Sequence, residues 1–130
     1  DRDVNAGFSG GEIKRSELLQ LMAQNPGLLL FDEPESGVDL ENMHLIGKTV
    51  RTMLEGEIAP RPDKTMKEQK EQARTTGGLI ITHTGYILDY INADRGQVLY
   101  DGHLCCQARP RDILEHIREH GYRECVRCLN

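Results

Sequence analysis

The sequence predicts an α/β fold with a parallel sheet core, flanking helices and a small edge hairpin. Three observations carry that expectation. Two short apolar runs, 28–31 and 78–82, are continuous rather than alternating, as in parallel strands covered on both faces. Stretches of helical period alternate with them, the pattern of a layered α/β domain. Near the end, Asp101-Gly102 joins the strand-like segments 97–100 and 103–106 as a two-residue turn.

Each element has a local reason. Residues 9–24 read as a helix, because Ser9-Gly10-Gly11-Glu12 fits a capping box and Ile13, Leu18, Leu19, Leu21 and Met22 supply an apolar face. Pro34 stops the strand that follows. Residues 40–54 form a second helix, capped by Asp39, with Leu40, Met43, Ile46, Val50, Met53 and Leu54 inward. Segment 55–76 differs: it holds five acidic and five basic residues with Pro60 and Pro62, and reads as a mobile charged insertion with a short helix over 66–74. A short helix is expected over 86–91. Pro110 opens a last helix, with Ile113, Leu114 and Ile117 inward and Gly121 as its stop. The 130 residues are one domain or part of one.

The chemistry gathers at four places. Ser9 explains a capped helix, but two glycines at the helix start also leave backbone N–H groups open to an anion, so Ser9, Gly10, Gly11 and Glu12 are candidate phosphate-binding residues. Ligands of parallel sheets collect at the carboxyl ends of strands, where Asp32 and Glu33 stand. Asp32 suits Mg²⁺, a hard cation that takes oxygen and keeps waters. Glu33 suits a base that orients attacking water. The plainer reading is two acids ending a surface strand. His83 ends the second apolar run; a lone histidine is more often surface or core.

In this order, Ser9-Gly10-Gly11-Glu12, the 28–33 run, Ser36-Gly37-Val38-Asp39 and His83 resemble the signature, Walker B, D-loop and switch histidine of ABC-type ATPases. The resemblance implies nucleotide contacts for Asp39 and a γ-phosphate contact for His83. Val4-Asn5-Ala6-Gly7-Phe8, the run 12–20, the run 32–39, Thr82-His83-Thr84, Ile87-Leu88-Asp89-Tyr90-Ile91 and Gly121-Tyr122 resemble the SufC branch, of archaeal type. That branch implies a cytoplasmic ATPase of iron–sulfur cluster assembly, using ATP and Mg²⁺. Its subunits dimerise around ATP and drive conformational change in SufB- and SufD-type scaffold partners. The alternatives are an ABC transporter ATP-binding subunit, or a non-enzymatic half-domain that holds a partner or metal through its Cys/His tail.

The family also carries a phosphate-binding loop upstream of the signature. The only candidate here, Gly47-Lys48-Thr49, has Asn42 where the first glycine belongs and falls inside a helix pattern. The expectation is therefore the C-terminal part of an ATPase, inactive alone. Lys14 is within reach of Glu33 once helix packs on strand, and a Lys14–Glu33 pair would keep the carboxylate idle in a lone subunit; the plainer and favoured reading is a solvated lysine on the helix face.

Net charge is −5 and pI about 5.5, which gives no attraction for nucleic acid or an anionic membrane. No apolar run approaches the roughly 20 residues of a membrane span, so no membrane insertion is expected. No signal peptide is evident, and cytoplasm is the default. Cys105, Cys106, Cys125 and Cys128 do not read as a disulfide framework. His116 and His120 with Cys125 and Cys128 have a donor set suited to zinc, but in an unusual order, and the favoured reading is a helix with two exposed histidines and a tail of reduced thiols.

Overall fold

The computed structural model describes residues 7–56, 63, 65, 66, 68, 69 and 75–128, with side chains to 125. Val4, Asn5 and Ala6, most of segment 55–76 and the Cys128 side chain lie outside the described residues. The chain divides after Ile91 into two compact units.

The first unit holds α1 (Gly10–Gln24), β1 (Leu28–Asp32), α2 (Leu40–Glu55), β2 (Gly77–Ile81) and a 3-10 turn over Tyr86–Asp89. β1 and β2 pair in parallel, with Leu30 opposite Leu79 and Asp32 opposite Ile81. Leu29 and Phe31 point into a core with Leu18 of α1, Met43, Ile46 and Val50 of α2, and Ile87 and Ile91. The opposite face is open: Leu28, Leu30, Leu79 and Ile81 are 62%, 68%, 58% and 55% exposed. Among the described residues the strands are therefore covered on one face, not two, since the buried partners of β1 lie on the Leu29 side. The amphipathic reading of α1 is corrected likewise. Leu18 is buried and Leu21 packs against the core, but Leu19 and Met22 are exposed. Leu40 is also exposed, one residue past the Asp39 cap.

Gly47 answers the phosphate-loop question. It lies buried inside α2, where any added Cβ would collide with the Tyr90 ring. The start of β2 is tied down twice. Gly77 N donates to Gly27 O at 2.9 Å and Thr76 Oγ1 to Pro26 O at 3.3 Å. Within 55–76, Thr65 and Glu68 form a second capping box: Thr65 N donates to Glu68 Oε2 at 2.8 Å and Glu68 N to Thr65 Oγ1 at 3.3 Å.

The second unit holds β3 (Gly96–Tyr100), β4 (His103–Ala108) and α3 (Pro110–Cys128). The hairpin is a separate antiparallel sheet, not an edge of the parallel pair. Asp101 and Gly102 both have positive φ, 48° and 76°, as the right-handed strand twist requires of a two-residue turn. A bulge follows, where Val98 pairs with Cys105 after Gln97 has paired with Gln107; the extra residue, Cys106, has φ 52°. α3 packs on the hairpin through Ile113 and Ile117. Gly121 (φ 80°) breaks its regular helix as expected, but a further helical stretch continues to Cys128.

Candidate functional site

The site begins at the first turn of α1. Ser9 N donates to Glu12 Oε2 at 2.8 Å and Glu12 N to Ser9 Oγ at 3.3 Å, a complete capping box. Hydrogen bonds from Ser9 to the Glu12 carboxyl, from its backbone N–H first and its hydroxyl second, hold that carboxyl below its ordinary pKa. By helix geometry the Gly10 and Gly11 N–H groups have no acceptor within α1. Both glycines also have a packing reason that the sequence did not reveal. A Cβ on Gly10 would press on Gly37 O at 3.3 Å, and one on Gly11 on Asn42 Nδ2 at 3.1 Å.

Asp39 caps α2. Its Oδ1 accepts from Asn42 N and its Oδ2 from Asn42 Nδ2, each at 2.8 Å. The backbone bond from Asn42, with the side-chain bond second, holds the Asp39 carboxyl below its ordinary value. The signature glycines, Gly37 and Asn42 thus form one packed patch.

Asp32 ends β1 with its side chain exposed. Glu33 follows with φ 45°, the left-handed region that side-chain-bearing residues rarely occupy. Its N–H donates to Ile81 O at 2.9 Å, extending the strand pairing by one residue. Its carboxylate turns to the loop after β2, and His83 Nδ1 lies 2.9 Å from Glu33 Oε1. An ionised carboxylate only accepts, so in this pair Nδ1 carries the hydrogen. Lys14 Nζ donates at 3.1 Å to the Glu33 backbone carbonyl. The expected Lys14–Glu33 carboxylate pair is therefore corrected: the left-handed backbone presents the carbonyl to Lys14 and the carboxylate to His83.

Two carboxylates from one loop serve opposite ends of this arrangement. Glu35, two residues past Glu33, is buried, and its Oε1 accepts from the hydroxyls of Thr82 and Thr84, the latter at 2.9 Å. Glu35, Thr82 and Thr84 fall inside the family-like segments 32–39 and 82–84, but the sequence assigns none of them a role. The available signal was a histidine held between two threonines, with an acid just beyond the first strand.

Of the Cys/His set His116, His120, Cys125 and Cys128, the Cys128 side chain lies outside the described residues. Among the described residues no three His, Cys, Asp or Glu side chains are grouped to hold an ion. His116 and His120 stack with ring centroids 4.5 Å apart, while Cys125 is buried and its carbonyl accepts from Cys106 Sγ at 3.1 Å.

Similarity to known proteins covers most of the chain. No protein-family model matches the chain. It is 31% identical over 121 residues to "Probable ATP-dependent transporter SufC" of Escherichia coli, covering 93% of this chain and 41% of that protein. It is 33% identical over 122 residues to "Probable ATP-dependent transporter slr0075" of Synechocystis, covering 94% and 40%. It is 35% identical over 104 residues to "Probable ABC transporter ATP-binding protein SpyM3_0208" of Streptococcus pyogenes, covering 80% and 34%. The chain belongs with the ABC-type ATPases. Within that class it is a SufC-like sequence, and it spans about two-fifths of the length of the curated SufC-like relatives it matches. No helix among the described residues is long and apolar enough to cross a membrane.

Proposed function

We propose that this chain supplies the signature, Walker B, D-loop and switch-histidine portion of an ATP-hydrolysing site in a SufC-like subunit of iron–sulfur cluster assembly. The observation that carries the reading is the Glu33–His83 pair at the carboxyl ends of two adjacent parallel strands.

ATP is the substrate, and Mg²⁺ accompanies it. The donor set fits: Asp32 is an exposed carboxylate at the strand end, and Mg²⁺ binds through one or two carboxylates, waters and phosphate oxygens. When bound, Mg²⁺ neutralises charge on the phosphate oxygens. Glu33 accepts a hydrogen bond from the attacking water and aims it at the γ-phosphate. His83, held at Glu33 through Nδ1, contacts that phosphate as the switch histidine. Ser9, Gly10 and Gly11 present helix N–H groups to a γ-phosphate bound on a second subunit, and Glu12 keeps that helix start in shape. Asp39 fixes the loop between the two motifs. Positioning and electrostatics supply the catalysis.

Residues 1–130 act as part of one ATPase domain, with 55–76 as its charged insertion. The subunit works in the cytoplasm, dimerises around ATP and drives SufB- and SufD-type scaffold subunits. The names of the relatives also favour a second reading, an ATP-binding subunit of a transporter. The test is Glu33→Gln in the full-length protein. Retained ATP binding with stalled turnover supports the reading; unchanged turnover overturns it. Purification with soluble scaffold subunits rather than membrane proteins separates the two assignments.

A further inference from the structure

We propose that Glu35 is a positioning residue that sets His83 against Glu33. The proposal rests on the functional reading above and adds a residue to it. Glu35 is only 6% exposed, in the loop that follows β1. Its Oε1 accepts from Thr82 Oγ1 and Thr84 Oγ1, the two residues that flank His83. Each hydroxyl also accepts from the backbone beyond: Thr82 Oγ1 from Gly85 N at 2.9 Å and Thr84 Oγ1 from Tyr86 N at 3.3 Å. A hydroxyl has a single hydrogen. Because both threonines accept from backbone N–H groups, both hydrogens are free to be committed to Glu35. The direction of every bond in the network is therefore fixed.

The consequence is a clamp across two loops. Glu33 and Glu35 are two residues apart on the loop after β1, and His83 lies between the two clamped threonines after β2. Fixing both neighbours of His83 to the loop that carries Glu33 holds the imidazole where its Nδ1 meets Glu33 Oε1. The second Glu35 oxygen, Oε2, is buried with no protein partner. A buried, half-satisfied carboxylate is costly where only stability is at stake. Its position between the two catalytic loops gives that cost a purpose. Only Oε1 is needed as an acceptor, so a glutamine can do the same work.

The test reads the His83 tautomer by ¹⁵N NMR in the 130-residue chain, near neutral pH. The unsubstituted chain is expected to hold its hydrogen mainly on Nδ1, the atom facing Glu33. Glu35→Ala is expected to shift the tautomer ratio several-fold toward Nε2–H, and Glu35→Gln to keep it. A folded Glu35→Ala chain with an unchanged ratio overturns the proposal, because a merely structural Glu35 would lower the melting temperature alone. If Glu35→Ala does not fold, Thr84→Val removes one arm of the clamp, and an unchanged ratio there has the same force. Turnover in the full-length protein is the separate arm. A shifted tautomer with unchanged kcat leaves Glu35 as a positioning residue and overturns the catalytic reading of His83. A fall in kcat with KM for ATP unchanged supports both.

Discussion

His83 and Glu33 are fifty residues apart in the chain, yet His83 Nδ1 and a Glu33 carboxylate oxygen lie 2.9 Å apart. Parallel register brings them together. Asp32 pairs with Ile81, and Glu33 N reaches back to Ile81 O, so the residues just past each strand leave the sheet at the same end. Glu33→Gln in the full-length protein is expected to leave ATP affinity near its original value while turnover falls about 10²–10⁴-fold, the range for loss of a general base. Nucleotide binding and phosphate release, measured on the same sample, check it.

The Glu33 backbone gives a second prediction. A φ of 45° is easy for glycine and strained for a residue with a Cβ. Glu33→Gly is expected to be more stable than Glu33→Ala by about 1 kcal/mol, and both to be inactive in the full-length protein. Denaturant titration of the two variants decides it. Equal stability would mean that the left-handed geometry stores no strain.

Gly47 sets two effects against each other. Alanine in a helix interior is favoured over glycine by about 1 kcal/mol, but overpacking a core costs about 1–3 kcal/mol. The added methyl would meet Tyr90 Cβ and Cγ, atoms next to the backbone that cannot swing away. Gly47→Ala is therefore expected to lower the unfolding midpoint. Adding Tyr90→Ala is expected to cost less in the Gly47→Ala background than alone, which a double-mutant cycle measures.

The two helix caps predict an acid dependence. Glu12 and Asp39 are held below their ordinary pKa values by hydrogen bonds from Ser9 and Asn42. A depressed folded pKa means that the unfolded chain binds the proton first, so the stabilisation is present above the unfolded value and is lost as pH falls through the folded one. Stability is thus expected to decline from the ordinary carboxylate range downward. Glu12→Gln and Asp39→Asn are each expected to flatten part of that decline. Thermal melts as a function of pH test this, and profiles that superimpose on the parent's would contradict it.

Much of this was legible in the sequence because the deciding forces are local. The Ser9–Glu12 box, the Asp39 cap and the Asp101-Gly102 turn each depend on residues a few positions apart, and each appears as read. The apolar runs identified the strands but not their environment. Continuous Leu28-Leu29-Leu30 was taken to mean two covered faces, whereas only Leu29 is buried. Periodicity also misjudged Leu19 and Met22, since a helix with five apolar residues need not bury them all. The clamp of Glu35 on Thr82 and Thr84 has no trace in the sequence beyond those residue types, because it spans nearly fifty residues and depends on a register that no local pattern specifies. Lys14 was read correctly as near Glu33 but assigned the wrong oxygen, since the positive φ that turns the carboxylate away has no sequence signal in a glutamate.

The double anchor of Thr76 and Gly77 on Pro26 and Gly27 has a practical consequence for engineering. It fixes the start of β2 before the chain reaches His83, so the strand's register does not depend on the length of the stretch before it. Closing a longer loop costs only about 0.6 kcal/mol for each doubling in length. A tag, reporter or protease cleavage site inserted between α2 and β2 is therefore expected to leave the Glu33–His83 pair in place.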